Sequence, residues 1–188
     1  MRPRTTDEHA PAPGESALAR FNDLAPADAE RELLACCASR VWAAAMAADR
    51  PYRSVPDAVE IGGARVLGLG WDDVAQALAA HPRIGERAGG PGREAGWSRR
   101  EQAGTAGASA EVLAALAEGN RAYEERFGHV YLVRASGRDA DELLRILRAR
   151  LGNDEAAERE VVRRELAEIT RLRLARLLGG DEEEATAG

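Results

Sequence analysis

Only one stretch of this 188-residue chain reads as extended backbone: Phe127-Gly-His-Val-Tyr-Leu-Val-Arg-Ala135, where Val, Tyr and Leu stand together. Such residues favour strands, but a lone strand has nothing to pair with. No sheet can be built around it. The other periodic segments repeat apolar residues at the three-and-four spacing of a helix. Ala and Leu, good helix formers, are plentiful, and aromatics make up only 4% of the chain. We therefore expect an all-α fold: a single-domain multi-helix bundle, residues 127–135 an extended connector buried between helices, and a long C-terminal helix. The domain should span residues 16–178, long enough for a substantial core. Residues 1–15, rich in Pro, Thr, Asp and Glu, read as a disordered tail that includes His9, and 179–188 as an acidic one.

Local signals place the helices. Ser16–Leu24 is short. Pro26 suits the first turn of the next helix, which runs to Ala38, with Asp28 and Glu30 near its positive end; its apolar side is Ala29, Leu33, Leu34 and Cys37. Ser39 caps a third helix carrying Val41, Trp42, Ala45 and Met46, and Asp49-Arg-Pro51 ends it. Ser54 before Pro56 starts a fourth, which Gly62-Gly63 and Gly68-x-Gly70 weaken. Trp71–Ala80 follows, with Trp71, Val74 and Leu78 on one side. After a Gly-rich loop, Ser98 starts a short helix. Ser109 starts a longer one to Arg126, its inward stripe Leu113, Leu116, Asn120, Tyr123 and Phe127. Asp139-x-x-Glu142 reads as a capping box for a helix to Leu151. Asp154 begins the final helix, which reaches Leu178.

Composition excludes several chemistries. All 26 basic residues are arginine. Without lysine there is no Schiff base and no pyridoxal phosphate attachment, nor a lysine-dependent phosphate loop. The net charge of −6 gives no electrostatic case for nucleic acid. Cys36 and Cys37 are adjacent, with no C-x-x-C metal spacing, and read as buried or half-buried reduced thiols. No apolar run is long enough to span a membrane and no signal region is apparent, so a cytoplasmic location is expected.

Three positions carry candidate chemistry. His81 precedes Pro82, which disfavours helical backbone for the residue before it. An imidazole is thus fixed at a helix end, where its near-neutral pKa suits proton transfer. His129, in the connector, reads as a structural or surface group. Ser98-x-x-Glu101 matches a capping box, whose helix N-terminus would also suit an anion. In the last helix Val162, Leu166, Ile169, Arg173 and Leu177 fall at spacings of 4, 3, 4 and 4, placing a guanidinium on an apolar stripe. Arg173 is then either an internal salt bridge, a stem lying along the core with its head in water, or a carboxylate clamp. Asn120 poses a similar question. The residues alone reach an all-α protein with a His/Glu/Arg pocket for an anion.

A longer set of motifs resembles one family. These are Leu34-Ala-Cys-Cys-Ala-Ser39 followed by Trp42; Arg50-Pro51; His81-Pro-Arg-Ile-Gly85; Ser98-x-x-Glu101-Gln102-Ala-Gly104; Asn120-x-x-Tyr123-x-x-Arg126-Phe127-Gly128; Ala135-x-Gly137; Leu151-x-Asn153; and Ile169-x-x-Leu172-Arg173-Leu174. In this order they resemble the 2-oxo-4-hydroxy-4-carboxy-5-ureidoimidazoline (OHCU) decarboxylases of urate breakdown, from about residue 16 to 178. The most specific element is His-Pro-Arg-Ile-Gly with Ser-x-x-Glu-Gln starting seventeen residues after the histidine.

The resemblance implies a cofactor-free decarboxylase, with no metal, that forms (S)-allantoin and carbon dioxide. By position it implies that His81 is the catalytic histidine, with Glu101 orienting and tuning it. Ser98 and Gln102 would hydrogen-bond the ring and ureido groups, and Arg173, rather than Arg171 or Arg176, would bind an anionic or carbonyl part. Pro82 and the backbone around Phe127, Val130 and Leu132 would line the pocket. His129 departs from the family, which more often has an aromatic or apolar residue there. Two readings compete: an all-α ureide hydrolase with His81 activating water, and a non-catalytic helical binding module. The partner expected is a small ureidoimidazoline, not nucleic acid or membrane. A homodimer is expected, with the N-terminal helices and Trp42 facing a partner subunit.

Overall fold

The structure, a computed structural model, describes residues 16–86 and 92–179. The expected tail at 1–15, all of the expected tail at 179–188 but Gly179, and most of the Gly-rich loop, at 87–91, lie outside the described residues. The helices are α1 (Ala17–Asp23), α2 (Pro26–Cys36), α3 (Arg40–Ala48), α4 (Val55–Leu67), α5 (Trp71–Leu78), α6 (Arg93–Glu101), α7 (Ala110–Phe127), α8 (Ala140–Arg150) and α9 (Glu155–Leu177), with a 3-10 turn at Ala103–Thr105. Among the described residues there is no strand, and the fold is all-α. No described helix is long and apolar enough to cross a membrane.

Most helix starts have a local cause. The side chains of Ser16, Ser39, Ser54, Ser109, Asp139 and Asp154 each accept a hydrogen bond from a backbone N–H three residues on, which satisfies a donor the helix leaves free. Pro26 occupies the first turn of α2. Gly128, with φ 74°, closes α7 in the left-handed conformation.

The expected helix start at Ser98 is not observed. Helix α6 begins at Arg93 behind Gly92, and Ser98 lies near its end. Ser98 Oγ accepts from Arg173 Nη2 at 3.1 Å instead of capping a helix. The N-terminus of α6 thus lies at Arg93 rather than at Ser98. The sequence pattern was blind to a partner 75 residues away.

The glycines of α4 do not weaken it either. Helix α9 packs along α4, and a Cβ at Gly62 would collide with Leu174, one at Gly63 with Arg171. Close approach of the two backbones offsets the entropy cost of glycine inside a helix. Trp42 faces inward rather than towards a partner: it is buried, and its indole N–H donates to the Gly62 carbonyl at 3.0 Å. On α2, Cys36 is buried with Ala29, Leu33 and Cys37, while Leu34 is exposed. Both thiols are free. Burial pushes Cys37 up to about 11 and Cys36 further in the same direction, which keeps both protonated.

Two hydrophobic clusters result. The larger joins α1 to α5 with α9, and the second joins α7 and α8. Residues 129–135 run extended between them. Leu132 packs into the first cluster, Tyr131 and Val133 into the second, the alternation of an extended chain.

Candidate active site

The turn after α5 delivers the histidine. The His81 N–H donates to the Leu78 carbonyl at 2.9 Å, and imidazole Nδ1 lies 2.9 Å from the Ala77 carbonyl. A carbonyl only accepts, so Nδ1 carries the proton and Nε2 keeps its lone pair. Nε2 is buried and has no partner among the described residues. Burial, and then the Arg173 guanidinium, lower the imidazole pKa to about 4, so His81 is neutral near pH 7. The contact that orients His81 thus comes from Ala77.

Glu101 holds Arg173 instead. Arg173 donates from Nε to Oε1 at 3.0 Å and from Nη2 to Oε2 at 2.8 Å, a bidentate pair in which Arg173 is 4% and Glu101 8% exposed. Ser98 takes a further bond from Nη2. Arg176 Nη1 reaches Glu101 Oε1 at 3.4 Å. Arg171 turns away to Glu168 and Glu60. The salt-bridge reading of Arg173 therefore holds, and this guanidinium, among the three, also lines the cavity.

Gln102, the last residue before the 3-10 turn, is engaged at both ends. Its Oε1 accepts from the Gly85 N–H at 3.0 Å and its Nε2 donates to the Arg83 carbonyl at 3.3 Å. Asn120 Nδ2 donates to the Ile84 carbonyl at 2.9 Å, and Arg83 pairs with Glu124. These side chains shape the His-Pro-Arg-Ile-Gly turn from three directions.

His81, Pro82, Ser98, Glu101, Gln102, Leu132 and Arg173 share one cavity of about 20 Å³, room for about one water molecule. Larger depressions adjoin it. One of about 270 Å³ shares His81, Pro82 and Ser98; another of about 480 Å³ shares Ser98 and Gln102. Phe127 and Val130 do not line this cavity. Phe127 still belongs to α7 and packs at a tilt against Tyr123, ring centres 4.7 Å apart. Val130 sits farther along the connector, beside His129 in a separate surface depression. His129 packs edge-on against Trp71 and Tyr123.

Tyr131, inside the 127–132 stretch that the resemblance pointed to, also lines the cavity, and Ile84, Val133, Ala135 and Ile169, not assigned to the pocket from sequence, complete it. Ile169 was findable, being one turn before Arg173 on the same stripe. Val133 and Ala135 were not, because the spacing of an extended chain does not tell how far along it the site reaches. Among the described residues no cluster of three or more His, Cys, Asp or Glu is placed to hold a metal ion.

Fold and site together define an all-helical domain built around a buried imidazole–guanidinium pocket. The chain belongs to the OHCU decarboxylase family, whose model matches residues 22–175. It is 33% identical over 155 residues to the uric acid degradation bifunctional protein TTL of Arabidopsis thaliana, covering 79% of this chain and 47% of that protein. The chain thus spans about half the length of this curated relative. A solved OHCU decarboxylase, crystallised in the presence of (S)-allantoin, superposes with a TM-score of 0.69 at 31% identity, covering 79% of this chain and 97% of that one. An (S)-allantoin synthase superposes with a TM-score of 0.65 at 15% identity, over 87% of this chain and 54% of that one, a likeness of fold.

Proposed function

We propose that this chain decarboxylates 2-oxo-4-hydroxy-4-carboxy-5-ureidoimidazoline to (S)-allantoin. The observation that carries the reading is the bare, inward Nε2 of a neutral His81, in one cavity with Arg173. The substrate bears a carboxylate and a hydroxyl on one ring carbon, beside a C=N bond. When the bond to the carboxylate breaks, carbon dioxide leaves and its electron pair forms a C=C bond. The C=N pair moves onto nitrogen, which takes up a proton. The hydroxyl then becomes the carbonyl of the product as the adjacent carbon is protonated. The C=N serves as electron sink, so the reaction needs no Schiff base.

A neutral imidazole with a free lone pair is fit to accept a proton first. His81 takes the hydroxyl proton and, as imidazolium, returns one to a single face of the adjacent carbon, which sets the handedness. Arg173, held in register by Glu101 and Ser98, faces an anionic or carbonyl oxygen. Gln102 contributes by shaping the turn that carries Pro82 and Ile84. The cavity alone has room for about one water molecule, so the substrate would reach His81 from the adjoining depression of about 270 Å³ that shares His81, Pro82 and Ser98. The domain acts without a metal or organic cofactor, in the cytoplasm.

Substrate generated in place from urate, by enzymatic oxidation and ring-opening hydrolysis, tests the reading. Addition of the protein should accelerate carbon dioxide release and the appearance of a circular-dichroism signal of one sign only, that of (S)-allantoin. Ammonia or urea instead of carbon dioxide would establish the ureide hydrolase. Release at the spontaneous rate with racemic product would leave a binding module.

A further inference from the structure

Several motif residues stand behind the cavity rather than in it. Arg150, at the end of α8, is 5% exposed and donates from Nε and Nη2 to Glu158 Oε1 at 2.8 and 2.5 Å. Tyr123 donates its hydroxyl proton to the same oxygen, and Asn153 Nδ2 donates to Oε2 at 2.7 Å. Glu158 is completely buried. An ion pair so deep is a poor source of stability, since apolar residues of the same volume often do as well or better. Arg150 Nη2 also lies 3.3 Å from the Tyr123 hydroxyl, and Nη1 reaches the connector, where it donates to the Leu132 carbonyl at 2.7 Å.

The connector has no partner strand, so its backbone groups need side-chain partners. Two residues after Leu132, the Arg134 N–H donates to Glu165 Oε2 at 2.7 Å. Leu132 and Val133, between these two fixed points, line the cavity. Glu158 and Glu165 both belong to α9, the helix that carries Ile169 and Arg173. One helix therefore sets both the guanidinium and the connector wall of the cavity.

We propose that Arg150, held by Glu158, and Glu165 are positioning residues: they fix the connector backbone against which the substrate is oriented. The inference rests on the decarboxylase reading above. Arg150→Lys keeps a charge for Glu158, but a single ammonium does not reproduce the planar fork that also reaches Leu132. Glu165→Ala removes the second anchor from the edge of solvent, without emptying the core.

Both variants should be measured for kcat, KM, product handedness and amide exchange over residues 131–135. In Arg150→Lys kcat should fall by about tenfold or more, as small misplacements of substrate do, with KM changing less. Glu165→Ala should show a smaller loss. Both should give allantoin of reduced enantiomeric purity and faster connector exchange, while the acid limb of the pH profile stays in place. Should Arg150→Lys fail to fold, Glu165→Ala decides. Wild-type kcat and handedness in folded variants overturn the proposal, whatever the exchange shows. Should the wild-type protein not decarboxylate at all, the functional reading fails separately. Connector exchange then decides the anchoring: faster exchange supports it and unchanged exchange overturns it.

Discussion

His81→Asn should abolish nearly all turnover while leaving a folded protein. The asparagine amide can still donate to the Ala77 carbonyl, as Nδ1 does at 2.9 Å, but it offers no lone pair where Nε2 stands. Loss of a proton-transfer group costs about 10²–10⁴ in rate, and that is the fall expected in kcat. The same substitution should change the pH dependence of stability. The imidazole is held near 4 in the folded chain, against its ordinary 6.5. Between these values the unfolded chain binds the extra proton, so His81 makes the wild-type protein lose stability as pH falls from 6.5 towards 4. His81→Asn should flatten that part of the melting profile. Near-normal turnover by the folded variant would remove His81 from the chemistry.

Arg173→Met should cost both stability and activity. It leaves Glu101, 8% exposed, as a buried carboxylate without its bidentate partner. Breaking such a pair typically costs about 3–5 kcal/mol. Arg176, at 3.4 Å from Glu101, provides partial compensation, so the lower end is expected, about 3 kcal/mol. For a chain of this size that corresponds to a melting point lower by about 6–12 °C. Decarboxylation should be lost even at temperatures where the variant is fully folded. An unchanged melting point would show that the pair does not hold α6 against α9.

The fold was legible where the cause is local. Ser39, Ser54, Ser109, Asp139 and Asp154 announce their helices because a cap acts over three residues. The connector was legible because nothing else in the chain could pair with it. The readings failed where a distant residue decides. Ser98-x-x-Glu101 has the form of a capping box, but both side chains are claimed by Arg173 from α9. Gly62 and Gly63 look like helix breakers until α9 is laid against them.

The site was legible in its parts and less so in its roles. The family resemblance named His81, Ser98, Glu101, Gln102 and Arg173 together, and all five line one cavity. It did not show that Ala77 orients His81, that Glu101 is spent on Arg173, or that Gln102 holds a turn. Those assignments depend on which atom faces which, and sequence spacing is silent on that. Phe127, placed at the pocket by the resemblance, is held in α7 and does not line the cavity.

The central claim is that His81 enters the reaction neutral, with its proton on Nδ1 and Nε2 bare. Imidazole nitrogen chemical shifts, followed by NMR in the ¹⁵N-labelled protein from neutral pH down through the acid range, test it most directly. The account predicts the Nδ1–H tautomer throughout the neutral range and a titration near 4. The Nε2–H tautomer, or a titration near the ordinary 6.5, would contradict it.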